Sequence, residues 1–78
     1  MNIDIKDTIL LDDNDEYVVV SKIHYKNDNY YYLVDINNTS NVKFVYQTFE
    51  GLVELDNKEL ITTLLPIFLK NIKTSINQ

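Results

Sequence analysis

Hydrophobic and polar residues alternate along the first two thirds of the chain and then change period. Ile3, Ile5, Ile9 and Leu11 alternate with Asp4, Lys6 and Thr8, interrupted at Asp7, which predicts one strand of a half-buried sheet. Asp12 to Asp15 predicts a hairpin turn. Glu16 to Tyr25 predicts a second strand, with Tyr17, Val19, Ser21, Ile23 and Tyr25 on one face and Val18, Val20, Lys22 and His24 on the other. Both faces start apolar, so the first half of this strand is expected to be covered on both sides. Lys26-Asn27-Asp28-Asn29 marks a turn, Tyr30 to Ile36 a third strand, and Asn37 to Asn41 another turn. Val42 to Thr48 alternates as a fourth strand. Glu50-Gly51 supplies a tight turn, and Leu52 to Leu55 makes a short fifth strand.

From Asp56 the period becomes helical. Asp56-Asn57-Lys58-Glu59 reads as a capping box with Asp56 as the cap. Ile61, Leu64, Leu65, Phe68 and Ile72 recur every three or four residues, the stripe of an amphipathic helix. Leu60, Ile67 and Leu69 fall outside that stripe and make the apolar face wide. Pro66 removes the amide that would bond Thr62 and disfavours helical geometry at Leu65, so a kink or break is expected there. The fold expected is α+β in a single domain, 1–78. Residues 1–55 form a five-stranded antiparallel meander, curled or closed as an SH3-like barrel, 56–73 a C-terminal helix and 74–78 a frayed tail. Leu64, Leu65 and Phe68 are expected to cover Val19, Ile23, Val34, Phe44 and Tyr46.

A chain of 78 residues has little core to spare, and it has no cysteine to staple it. Thiolate sites are excluded, and one histidine, His24, makes a zinc site implausible. No metal and no cofactor are expected. No apolar run approaches the roughly 18–20 residues that span a bilayer. The start lacks the basic end and apolar stretch of a signal peptide, which together with the missing cysteine places the protein in a cytoplasm. Ten Asn, nine Ile, six Tyr and seven Lys without Arg imply AT-rich codons, hence a low-GC bacterium or one of its phages.

Charge narrows the partner. The net charge is −5, and residues 1–16 carry all of it: six acids against Lys6 alone, whereas the rest balances six acids with six lysines. Asp12, Asp13, Asp15 and Glu16 therefore form a candidate acidic hairpin for a partner with a basic surface, set against the alternative of a merely solvated turn. An EF-hand reading fails: counting from Asp12 or from Asp13, the sixth position is Tyr17 or Val18 and the twelfth Ile23 or His24, where Gly and Glu are needed. Direct nucleic-acid binding is disfavoured. Tyr30-Tyr31-Tyr32 offers aromatic faces but no arginine, in an acidic chain, and reads better as strand residues packed on both sides.

Catalysis has no visible basis in this sequence. Alternation puts Ser21 and His24 on opposite faces of one strand. Carboxylates such as Asp12 and Asp15 sit in an exposed turn where nothing raises a pKa, and a single Gly leaves no phosphate-cradling loop. The chain is expected not to be an enzyme.

The order of an acidic first hairpin, Tyr-Tyr-Tyr-Leu-Val-Asp-Ile, Val-Lys-Phe-Val-Tyr and Gly-Leu-Val-Glu-Leu-Asp-Asn-Lys-Glu-Leu running into a helix is similar to the small, acidic YrzB-like family of bacterial proteins. The resemblance implies strand hairpins followed by a short helix and implies no mechanism. The function expected is a non-catalytic protein-binding module. Its candidate surfaces are the acidic hairpin and the helix face Leu60, Ile67 and Leu69, the latter also serving a homodimer. The alternative is a phage-encoded inhibitor that fills the basic groove of a host nucleic-acid-binding or defence enzyme with the acidic hairpin.

Overall fold

A computed structural model describes residues 3–76. The elements are β1 (Thr8–Leu10), β2 (Glu16–Tyr25), β3 (Asp28–Asp35), β4 (Val42–Thr48), β5 (Gly51–Glu54) and α1 (Lys58–Ile76). The strands pair antiparallel in the order β1-β2-β3-β4-β5. The sheet curls into a half-barrel rather than a closed barrel, and α1 covers one face, mainly against β2.

β1 is shorter than the alternation predicts. Asp7, the residue that interrupts the pattern, closes a turn: its carboxylate accepts from the Asp4 amide at 2.9 Å and its own amide donates to the Asp4 carbonyl at 3.1 Å. Lys6 takes φ 79° to make this possible. The turn between β2 and β3 is also tighter than expected. Tyr25 pairs directly with Asp28, leaving a two-residue loop in which Lys26 and Asn27 both have positive φ, the geometry that follows the twist of a hairpin.

One irregularity organises the core. Val19 pairs with Leu33, but the next paired residue of β2 is Ser21, opposite Tyr32, so Val20 is the extra residue of a bulge. Paired residues share a face, and Leu33 and Tyr32 lie on opposite ones. Tyr17 and Val19 therefore point into the curl of the sheet, while Ser21 and Ile23 point toward α1, which corrects the single face predicted for the whole strand. The interior of the half-barrel buries Ile3, Tyr17, Val19, Tyr31, Leu33 and Val45. The other layer buries Ile23, Tyr30, Leu64 and Phe68, bordered by Tyr32, Phe44, Tyr46 and Leu60. Phe68 meets the rings of Tyr32 and Phe44, each at 5.8 Å between centroids, and those two rings meet at 5.0 Å. Of the residues expected beneath the helix, Ile23, Phe44 and Tyr46 are there. Val19 belongs to the opposite layer, Val34 lies outside the cluster, and Leu65 is only half-buried.

The helix begins one residue later than the capping box predicts. Asn57 is the cap: its side-chain oxygen accepts from the Leu60 amide at 3.1 Å and its carbonyl from the Ile61 amide at 3.0 Å. Asn and Asp cap equally well, so Asn57 takes the role expected of Asp56 without loss. The helix runs unbroken through Pro66. Pro66 and Thr62 are both exposed, so the carbonyl that loses its amide partner is on the side open to water. The helix continues to Ile76, past the expected end at 73, and residues 77–78 of the expected tail lie outside those described.

Burying Leu64 and Phe68 contributes about 1.5–3 kcal/mol each, more than the roughly 0–1 kcal/mol of a surface ion pair such as Lys22–Asp4 or Lys43–Glu54. Phe68→Ala should cost about 3–5 kcal/mol, enough to unfold so small a domain, whereas Ile67→Ser with Leu69→Ser should leave it folded; circular dichroism melting separates the two. Ser21 is fully buried with its hydroxyl unpartnered in the described structure. Ser21→Ala should therefore raise stability by about 1 kcal/mol in denaturant titration, and a loss of that size would show that the hydroxyl is satisfied.

Candidate functional site

Of the four acids in the predicted hairpin only Asp15 is half-buried, and Asp13, though exposed, is tied into the fold by hydrogen bonds. Asp12 and Glu16 are exposed. The Asp13 carboxylate accepts from the Asp15 amide at 3.0 Å and from the Tyr17 hydroxyl at 2.8 Å. These bonds hold the Asp13 carboxyl below its ordinary range. Burial, and then the bond to Asp13, push the Tyr17 hydroxyl up to about 12. On the neighbouring strand Asp35 is buried. It accepts from the Asn37 amide at 2.8 Å and from the Asn41 side chain at 3.1 Å, and Asn41 also donates to the Tyr17 hydroxyl at 3.0 Å. The Asn37 amide and the Asn41 side chain hold Asp35 in its charged form, below its ordinary value. Asp15 is raised instead, because its protonated carboxyl can donate toward Asp35 while its ionised form is repelled by it. The sequence reading that nothing in this turn raises a carboxyl pKa is thus corrected. The responsible group, Asp35, lies on another strand, twenty residues away in the chain.

The larger feature lies beside this network, on the open side of the half-barrel. β1 and β5 are the two edges of the sheet, and between them runs a cleft of about 1150 Å³. Ile9, Leu11 and Leu52, the half-buried border of the inner core, make its apolar floor together with Val45. Asp7, Asp12, Asp13, Glu50 and Glu54 line it against a single cation, Lys43, which is paired with Glu54 at 3.2 Å. Leu10 on β1 lines the cleft while 67% exposed. Phe49, immediately before the lining residues Glu50 and Gly51, is 97% exposed. The sequence reading passed over both. Leu10 breaks the alternation of its strand, and Phe49 is an aromatic residue in a turn, which are the signals that could have marked them.

The other candidates fall into place around this cleft. Leu60 is half-buried against the Leu64 and Phe68 layer, whereas Ile67 and Leu69 are exposed at 39% and 49%. The helix face named from sequence is therefore split, and only its second half is a free surface. Tyr30 and Tyr32 lie under the helix and Tyr31 on the opposite face, its hydroxyl donating to Gln47 at 2.8 Å, so Tyr30 and Tyr31 are buried and present no stacking surface. Ser21 and His24 lie on opposite faces. His24 meets Asn29 at 2.9 Å beside a depression of about 260 Å³. Among the described residues no group of three His, Cys, Asp or Glu side chains could hold a metal ion, and no helix is long and apolar enough to cross a membrane. No protein-family model, curated protein or solved structure matches the chain.

The carboxyl network makes stability depend on pH in two senses. Asp13 and Asp35, with depressed values, contribute stability above the ordinary carboxylate range that is lost as pH falls through their folded values. Asp15, with a raised value, favours the fold while protonated and opposes it as pH rises through that value. Asp15→Asn should therefore raise the melting temperature at about pH 7, and the gain should vanish by about pH 3, where the wild-type carboxyl carries a proton itself. Melting curves across that range check this, and a gain that persists at low pH would disprove the pairing.

Proposed function

We propose that this chain is a non-catalytic, cytoplasmic protein-binding module, and that its binding surface is the open side of the half-barrel. The observation that supports this reading is Leu10, a large apolar side chain left exposed where it lines an apolar-floored cleft, with the fully exposed Phe49 next in the chain to the lining residue Glu50. An aromatic side chain fully in water gains nothing from the fold that holds it. It gains its full apolar transfer energy when a partner covers it. Aromatic anchors beside a pocket, ringed by polar residues, are the usual carriers of binding energy at protein interfaces. Ile67 and Leu69 are a weaker candidate, because the cleft lies beside Leu10 and not beside them.

The reading of the chain as an inhibitor that enters a basic groove is supported by Asp12 and Glu16, which are exposed and fixed at the end of a hairpin. It is the less favoured of the two, since Asp13 and Asp15 are engaged internally and fewer charges remain to meet a groove.

Leu10→Ser with Phe49→Ser should leave the circular dichroism and melting temperature close to those of the wild type. The same variant should lose about tenfold or more in affinity for the proteins retained by the immobilised wild-type chain. Ile67→Ser with Leu69→Ser should retain them. The opposite pattern would move the interface to the helix. If instead only Asp12→Asn with Glu16→Gln abolishes retention, and retention falls steeply with salt, the groove-inhibitor reading replaces this one.

A further inference from the structure

Resting on the reading of the cleft as the binding surface, we infer that its occupant is an extended protein segment in which basic and apolar side chains alternate. The segment adds to the free edge of β5 as a further strand and fills the open side of the half-barrel. Three independent features of the cleft lead there.

The first is the direction of the backbone groups. The Leu55 amide donates to the Phe44 carbonyl at 2.7 Å, and the register continues from that pair through Val45 opposite Glu54 and Tyr46 opposite Val53. In an antiparallel ladder hydrogen-bonded pairs alternate with non-bonded ones. Leu55, Val53 and Gly51 therefore bond toward β4, and the amides and carbonyls of Leu52 and Glu54 point to the open side. These are the donors and acceptors that a strand, and not a helix, can meet.

The second is the floor. Leu52 shares its face with Val45, so a strand laid beside β5 presents one set of alternate side chains to Ile9, Leu11, Val45 and Leu52. Glu54 shares this face but is met there by Lys43, so the set facing Leu52, Val45, Ile9 and Leu11 is apolar. The third is the charge. Five carboxylates against Lys43 make the walls strongly negative, and Lys43 already serves Glu54. Long basic side chains on the other face of the incoming strand can bend over the lips to reach those acids while their stems cover Leu10 and Phe49. A second copy of this chain is the wrong occupant. A two-fold contact would set the same acids against one another.

The test uses the intact chain and three labelled synthetic peptides: one in which lysine alternates with valine, its glutamate-for-lysine counterpart, and one of the first composition with lysines and valines in separate blocks. Anisotropy should show binding of the alternating basic peptide, about tenfold or more weaker binding of the blocked one, and none of the acidic one. Amide exchange at Leu52 and Glu54 should slow in the complex. Glu54→Pro, which removes an amide directed away from β4, should lose about tenfold in affinity relative to Glu54→Gln, which removes only the charge. Equal binding of the blocked peptide, or unchanged exchange at Leu52 and Glu54, would overturn strand addition and leave simple charge attraction. Concentration-dependent dimerisation lost in Glu54→Pro would overturn it in favour of a second copy. If no peptide binds while Leu10 and Phe49 still govern retention of a protein, strand addition fails and the cleft stands as the binding surface.

Discussion

The bulge at Val20 is the constraint on which the rest of the structure depends. A regular strand has one inner face, and a small curled sheet with one helix would then have to choose between filling its own curl and supporting the helix. By inserting one residue, β2 gives Tyr17 and Val19 to the curl and Ser21 and Ile23 to the helix side. The central strands β3 and β4 need no such device, because each carries apolar residues on both faces: Tyr31, Leu33 and Val45 go one way, and Tyr30, Tyr32, Phe44 and Tyr46 the other. Two thin cores replace one thick one. This lets a chain without disulfides bury large aromatic side chains from both sides of one sheet. It also explains the cluster of three tyrosines, whose middle member must fill the curl while its neighbours meet the helix.

Polar chemistry holds the end of this arrangement rather than its centre. Asp35, Tyr17 and Asn41 link the start of β2, the end of β3 and the start of β4. The arrangement needs a charged Asp35, since its oxygens accept from two donors. Asp15 opposes it from across the turn. The acidic hairpin is thus partly structural. Asp15 is committed to the fold, whereas Asp13, although bonded to Tyr17, also lines the cleft and shapes its field together with Asp7, Asp12, Glu50 and Glu54.

Much of this was legible in the sequence because alternation is a local signal. The five strands, their order, the helix and the split of the tyrosines all follow from periods of two and of three to four. What escaped was non-local. Nothing in Val18-Val19-Val20-Ser21 marks which residue is the bulge, since all of them suit a strand, and the face of Val19 was assigned wrongly as a result. Asp35 reads as an ordinary strand-end acid until β2 is laid beside it. Asp56 and Asn57 are both good caps, and only the path of the chain out of β5 decides between them. Pro66 was read as a breaker because its exposure, and that of Thr62, is a property of the packed helix and not of the sequence. The cleft was the hardest to foresee. It depends on β1 and β5 staying apart, and no residue pattern distinguishes an open half-barrel from a closed one.

An open sheet with two free edges invites uncontrolled pairing, and small β domains ordinarily blunt such edges. Here β1 is only three residues long, and carboxylates flank both edges: Asp7 and Asp12 beside β1, Glu50 and Glu54 on and beside β5. Charges of one sign on both edges repel one another when two such edges meet. The same charges do not repel everything. They attract a strand of opposite charge, so on the proposed reading the feature that disfavours like edges also favours a basic partner. Apolar anchors beside the edges sharpen that selection. If the acids served only solubility, the lips of the cleft would be expected to be polar throughout. Instead Leu10 and Phe49 stand exposed among them, where they weaken protection against aggregation and help only when something covers them. Repulsion of like edges together with an exposed apolar anchor is the combination that the proposed reading, a surface for a different chain, requires.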